Sequence, residues 1–242
     1  MTAVLIAYAT GEGQTAKTAE AIAETLGDAD LDVAIRNVAV EPEVDLRTYD
    51  AVVVGSPVNN RAHLPAVVEW IDANRDALVD RLSAFFQLSI AGVSESDWAV
   101  DSTREWVDDL VEQTGWTPDR VGDFGGALAY SQYGPVERQL FRVAAAFATG
   151  DTDTSRDYEY TDWDEVAAFA EEFAALVAAP ADEDVPRAFA YEPPSAAASG
   201  PSQNRLRQVA VVAIVALVVA AIVAALYRRC SGADREAAVP TE

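Results

Sequence analysis

The chain has 242 residues, enough for one sizeable domain with appendages; 50% are hydrophobic and 24% charged, which excludes a disordered or fibrous polypeptide. Forty Asp and Glu against seventeen Lys and Arg give a net charge of -23, the wrong sign for binding nucleic acid through its phosphates; with Lys17 the only lysine, the composition resembles that of salt-adapted haloarchaeal proteins. The only cysteine is Cys230 and the only histidine His63, which excludes an intramolecular disulfide, a CxxC pair and multi-Cys or multi-His metal centres, so no metal site is expected.

Ala3–Tyr8 is a short apolar run suited to a strand covered on both faces. Residues 14–26 are alanine-rich with helical spacing, and Gly27 is the expected stop. Residues 31–38 read as the second strand and 51–55 as the third; 64–73 return to a helical period, and 84–90 are the fourth strand. An acidic helix at 102–114 and a glycine-loosened fifth strand at 122–129 follow, and helices at 135–148 and 162–178 close the domain. Five strands alternating with helices predict an α/β domain over residues 1–179, a parallel sheet wound on both faces with ligands at the carboxyl ends of its strands.

Residues 180–208 are rich in proline, serine, alanine and acids without apolar periodicity, the composition of a flexible tether. From Val209 to Leu226 run eighteen apolar residues without a charge. A helix of that length spans roughly 27 Å, close to a bilayer's hydrocarbon thickness. Arg205 and Arg207 before it and Tyr227, Arg228 and Arg229 after it suit head-group anchors. Residues 209–227 are therefore expected to form a transmembrane helix, with 228–242 a short polar tail. Residues 1–9 lack the basic start of a signal peptide, so the expected arrangement is a single-pass C-terminal anchor in the cell membrane with the domain in the cytoplasm.

The first strand meets the first helix through Tyr8-Ala9-Thr10-Gly11-Glu12-Gly13-Gln14-Thr15. A glycine-containing turn feeding a helix N-terminus aims backbone N–H groups at an anion, and Thr10 and Thr15 add hydroxyl donors. A Walker loop fails because Ala16 stands where its second glycine is required before Lys17-Thr18. A dinucleotide fingerprint is met by Gly11, Gly13 and Ala16, but the second strand ends in Arg36-Asn37, where a ribose-binding acid is needed. The T-x-x-G-x-T pattern of a flavodoxin phosphate loop is met throughout. The same residues also suit a plain tight turn with a threonine cap.

Further loops carry a more specific resemblance. A-T-G-E-G-Q-T at the first loop, V-V-V-G-S-P-V-N-N-R at 52–61, S-A-F-F-Q-L-S at 83–89, W-T-P-D-R at 116–120 and G-G-A-L-A-Y at 125–130 occur in order. The stretch G-D-T-D-T-S-R-D-Y-E-Y-T-D-W-D-E-V-A-A-F-A at 150–170 follows them. Together they resemble the flavodoxin-like, menaquinone-dependent protoporphyrinogen IX dehydrogenases across most of residues 1–178. The resemblance implies a flavodoxin-like fold and FMN as cofactor. The phosphate would rest on Thr10, Gly11, Glu12, Gly13, Gln14 and Thr15. The isoalloxazine would lie between Ser56, Pro57, Val58, Asn59 and Asn60 on one side and Phe85, Phe86, Gln87, Leu88 and Ser89 on the other. Asp153 and Thr154 would approach the same face, although residues of their type also cap helices. Tyr160, Thr161, Asp162 and Trp163 carry the same two readings, with Asp162 suited to an N-cap and Trp163 to the core. His63 suits a surface or capping position, and no catalytic residue is singled out. The implied partners are protoporphyrinogen IX and menaquinone. The alternative is a membrane-tethered flavodoxin that docks its acidic surface on a basic redox partner.

Overall fold

The computed structural model describes residues 2–93, 97–128, 130–131, 134, 153–180, 185 and 187–193. The described residues fall within one compact unit, Met1–Pro193. The expected helix at 135–148, the transmembrane helix at 209–227 and the tail at 228–242 lie outside the described residues. Among the described residues no helix is long and apolar enough to cross a membrane.

Five strands, β1 (Ala3–Tyr8), β2 (Asp32–Asn37), β3 (Ala51–Asn59), β5 (Leu82–Ser89) and β6 (Arg120–Gly125), pair in parallel in the order β2-β1-β3-β5-β6. The two-residue β4 (Ala62–His63) folds back antiparallel on β3. Helices α1 (Gln14–Asp28), α2 (Pro65–Val79), α3 (Asp97–Thr114) and α4 (Trp163–Ala178) complete the described domain. The chain steps from β1 to β2 on one side and then to β3 on the other. The carboxyl ends of β1 and β3 therefore diverge at a switch point, where a doubly wound sheet opens a crevice.

The alternation of side chains along each strand divides the core into two layers. Val4, Ile6, Val53, Phe86 and Phe124 pack with Ala19, Ile22 and Leu26 of α1 and Val166, Phe169 and Phe173 of α4. Leu5, Ala7, Val52, Val54 and Phe85 pack on the other face with Val67, Trp70 and Ile71 of α2, Val107 and Leu110 of α3, and Trp116. Both faces are apolar along the same strands, which is why the sequence shows continuous runs instead of alternation.

Several boundaries differ from the sequence expectation for identifiable reasons. Gly27 does not stop α1. The left-handed residue is Asp30 (φ 61°), and Leu31 N–H closes on Leu26 O at 3.2 Å, so the helix runs one residue past the glycine to Asp28. The third strand continues beyond Gly55 to Asn59, because Asn60 (φ 50°) and Arg61 (φ 67°) form a two-residue turn with both φ positive that returns the chain along β4. Trp163 is 39% exposed instead of core, its indole N–H bound to Glu159 Oε1 at 3.1 Å. Asp162 caps α4 as expected, accepting Asp164 N–H at 3.0 Å and Glu165 N–H at 3.2 Å.

Within the stretch expected as tether, residues 187–193 are docked along the outer edge of β6. Val121 N–H donates to Phe189 O at 2.7 Å, and Arg120 and Ala190 form an antiparallel bridge. Glu172 of α4 anchors this strap by accepting Ala188 N–H at 2.9 Å and Phe189 N–H at 3.3 Å. The strap covers backbone groups that an edge strand would leave open.

Candidate functional site

A cleft of about 400 Å³ opens at the carboxyl ends of β1, β3, β5 and β6. That volume lies in the range of small-molecule sites. Thr10, Gly11, Glu12, Gln14 and Thr15 line one end, Pro57, Val58, Asn59 and Asn60 a wall, and Leu88, Ser89, Ile90, Gly126 and Ala127 the opposite wall.

The first end is shaped by its own backbone. Gly13 adopts φ 94°, a left-handed conformation that glycine enters without strain, and it serves as the N-cap of α1. Thr10 Oγ1 accepts Gly13 N–H at 2.9 Å, which sets the turn and leaves the Thr10 hydroxyl proton to donate elsewhere. No side chain caps α1, so the first-turn N–H groups are not taken by a capping side chain and the positive end of the helix dipole meets the cleft. Lys17 is engaged by Glu159 at 3.0 Å. The anion donors at this end are thus amides and hydroxyls, the chemistry that suits a phosphate held without a counter-cation.

The walls differ in character. Pro57, Val58, Leu88, Ile90 and Ala127 are apolar, while Asn59, Asn60 and Ser89 supply polar groups. A flat, partly polar ring fits between such walls. Gly126 N–H is bonded to Ser89 O at 2.8 Å, which joins the ends of β5 and β6 on that side.

The other residues expected at the site sit elsewhere. Phe85 and Phe86 lie in the two opposite core layers and are fully buried, because β5 stays regular through Ser89 and the cleft begins only at its last two residues. Ser56 is buried; its hydroxyl donates to Pro57 O at 3.0 Å and accepts Leu64 N–H at 3.1 Å, bracing the hairpin against the start of α2. Asp153 is exposed, and hydrogen bonds from the Ser155 hydroxyl and N–H hold its carboxyl below the usual range. Neither Asp153 nor Thr154 lines the cleft. Conversely, Ile90, Gly126 and Ala127 line it without having been singled out. The signal for them was the rule that every strand end beside the crevice contributes, applied to Gly126, which follows the end of β6 at Gly125.

Beneath the wall lies a buried polar chain. Gln87 Nε2 donates to Thr103 O at 2.9 Å and reaches Asp123 Oδ1 at 3.3 Å. Its Oε1 therefore faces His63 Nε2 at 2.9 Å, which makes that nitrogen the protonated one. His63 is 7% exposed, with its ring edge-on to Phe85 at 5.1 Å, not on the surface. Burial pushes its pKa down to about 4, and the Gln87 contact offsets this only in part. Burial pushes Asp123 up to about 6. His63 is neutral near pH 7 with its Nε2 proton already engaged, which leaves it fixing Gln87 in place.

The family described as flavodoxin domain matches residues 5–155. Two relatives are each 28% identical over 176 residues, both protoporphyrinogen IX dehydrogenases (quinone). The match to the Escherichia coli K12 protein covers 73% of this chain and 97% of that one. The match to the Leishmania major protein covers 71% and 74%. Among solved structures, oxidised flavodoxin 2 from Bacillus cereus aligns with a TM-score of 0.45 at 18% identity, covering 72% of this chain and 99% of its own.

Proposed function

The chain belongs to the flavodoxin-domain family, whose fold implies a flavin, and from that premise we propose that the cleft binds FMN and serves a quinone-linked oxidoreductase. The proposed reaction is oxidation of protoporphyrinogen IX to protoporphyrin IX with electrons passed to menaquinone, a step of haem biosynthesis. The cleft itself carries this reading: an uncapped helix start with hydroxyl donors at one end opens onto apolar walls bearing a few polar groups. The relatives' activity supports the substrate.

Bound FMN would supply the capacity to take electrons as pairs from a macrocycle and release them to a quinone. The chain's own residues do the rest. Thr10, Thr15 and the α1 amides hold the phosphate. Pro57, Val58, Leu88, Ile90 and Ala127 exclude water from the ring, and Asn59, Asn60 and Ser89 orient its polar edge. We further propose that residues 209–227 anchor the chain in the cell membrane with the flavodoxin domain in the cytoplasm, which raises the local concentration of a lipid-soluble acceptor. The acidic composition belongs, in the same proposal, to a protein that works in high salt.

The test is anaerobic mixing of FMN-loaded protein with protoporphyrinogen IX and a menaquinone analogue, following porphyrin fluorescence. Porphyrin fluorescence is expected to rise above the flavin-free control, and to exceed what the bound flavin alone can oxidise only when the quinone is present. The charge of -23 favours one other reading, a tethered electron carrier for a basic partner. No rise in porphyrin, together with rapid electron exchange with a small basic redox protein, would establish that reading instead.

A further inference from the structure

The stretch Tyr158-Glu159-Tyr160-Thr161 lies outside the cleft lining yet makes polar contacts to the helix that opens the phosphate end. Gln14, the first residue of α1, donates from Nε2 to Thr161 Oγ1 at 2.8 Å. The Thr161 hydroxyl in turn donates to Gly125 O, the end of β6, at 2.7 Å. Gln14 is 8% exposed and Thr161 9%. A hydroxyl has one proton, and Gly125 O can only accept, so Thr161 must receive from the Gln14 amide. Reversing that amide would leave the Gly125 carbonyl or the glutamine oxygen unsatisfied.

One turn on, Lys17 pairs with Glu159 at 3.0 Å, and Trp163 Nε1 holds the other carboxylate oxygen at 3.1 Å. Residues three apart on a helix share a face, as do residues two apart on an extended segment. Gln14 and Lys17 therefore meet Thr161 and Glu159 as a matched two-point contact. The outer pair is half-exposed and contributes little. The inner one is buried. The segment is seated against the sheet: Tyr160 N–H donates to Gly126 O at 3.1 Å, and a Cβ on Gly125 would stand 2.4 Å from the Tyr160 carbonyl oxygen. Capping does not account for Thr161, since Asp162 already supplies the cap of α4.

We propose that Thr161 is a positioning residue for the phosphate end of the cleft: its one hydroxyl ties the first turn of α1 to the end of β6 and so gives the site its preference for a phosphorylated flavin. This rests on the FMN reading above and adds a residue and a selectivity to it. Thr161→Val keeps the shape and removes the hydroxyl. It removes the hydroxyl that joins the Gln14 amide to the Gly125 carbonyl, leaving Gln14 only its Glu159 contact, and frees the α1 first turn to shift. Donors aligned on a phosphate lose most from such a shift. A flavin without phosphate, held by the apolar walls, loses little.

The experiment titrates flavin-free full-length protein in molar salt with FMN and, separately, with riboflavin, reading quenching of flavin fluorescence. Thr161→Val is expected to weaken FMN about tenfold, the equivalent of one buried hydrogen bond, with riboflavin within about threefold of wild type. Thr161→Ser, which restores the hydroxyl, should recover FMN binding. Thr161→Ala also removes the hydroxyl, with less steric demand, and should reproduce the selective loss, which keeps the test decisive should the valine variant not fold. Equal weakening of both flavins, or no change in either, would overturn the role assigned to Thr161 while leaving FMN binding intact. Wild-type protein that binds neither flavin would instead remove the FMN reading on which the proposal stands.

Discussion

Glu172→Ala is expected to lower the unfolding free energy by about 3–5 kcal/mol, the range for stripping one partner from a buried ion pair. Glu172 Oε1 accepts from Arg120 Nε, and the two side chains are 5% and 9% exposed. The same carboxylate takes the N–H groups of Ala188 and Phe189, so one side chain joins α4, the start of β6 and the edge strap. Truncation removes the carboxylate paired with the buried Arg120 guanidinium and leaves two strap amides without their acceptor. The pair itself is not a large net source of stability, because desolvating two charges offsets most of their attraction. The double variant Arg120→Leu/Glu172→Leu should therefore be clearly more stable than Glu172→Ala. Urea unfolding of both variants measures this. A loss under about 1 kcal/mol for Glu172→Ala, or a double variant as unstable as the single one, would contradict the assignment.

The second large effect is on pH dependence. His63 has a folded pKa of about 4 against an ordinary 6.5. In that window the unfolded chain binds the extra proton, so the His63 contribution is complete above pH 6.5 and lost as pH falls. Asp123 has a folded pKa of about 6 against an ordinary 3.8. There the folded protein holds the extra proton, so its contribution is present at low pH and lost as pH rises through about 6. At about 1.4 kcal/mol per pH unit, each amounts to roughly 3 kcal/mol of opposite sign. In the wild type the two slopes largely cancel between pH 4 and 6. Asp123→Asn should expose the His63 slope, with stability falling as the pH is lowered from 6.5 to 4. His63→Asn should shift the slope the other way. Chemical unfolding across that range reads both, and parallel curves for the two variants would refute the burial-driven shifts.

The fold was legible because a doubly covered sheet writes itself as apolar runs between helical periods, and Ala3–Tyr8 is such a run from end to end. Ends were less legible. Gly27 looked like a stop, but the turn was made by Asp30, whose left-handed backbone no residue pattern announces. Residues 187–193 looked like tether because their partners, Glu172 and β6, are remote in sequence. At the site, the loop from Thr10 to Thr15 was visible from spacing alone. Phe85, Phe86 and Gln87 were placed beside the ring by resemblance, whereas they lie inside β5 and only its last two residues reach the cleft. Thr161 was ambiguous because a hydroxyl reads alike as a flavin contact or a helix cap, and only the fold brings it beside Gln14.

The central claim is that the cleft at the α1 start binds FMN through the conformation of its first loop. Its most direct test is a fluorescence titration of FMN into flavin-free full-length protein in molar salt, comparing wild type with Gly13→Val. A Cβ at Gly13 meets no protein atom within 4 Å, so within the protein the strain of valine is that of φ 94°, which a β-branched residue resists. Saturable quenching is expected for wild type, and for Gly13→Val a greatly weakened FMN affinity in a domain that still unfolds cooperatively. Wild-type protein without quenching, or a folded valine variant that binds FMN as tightly as wild type, would contradict the account.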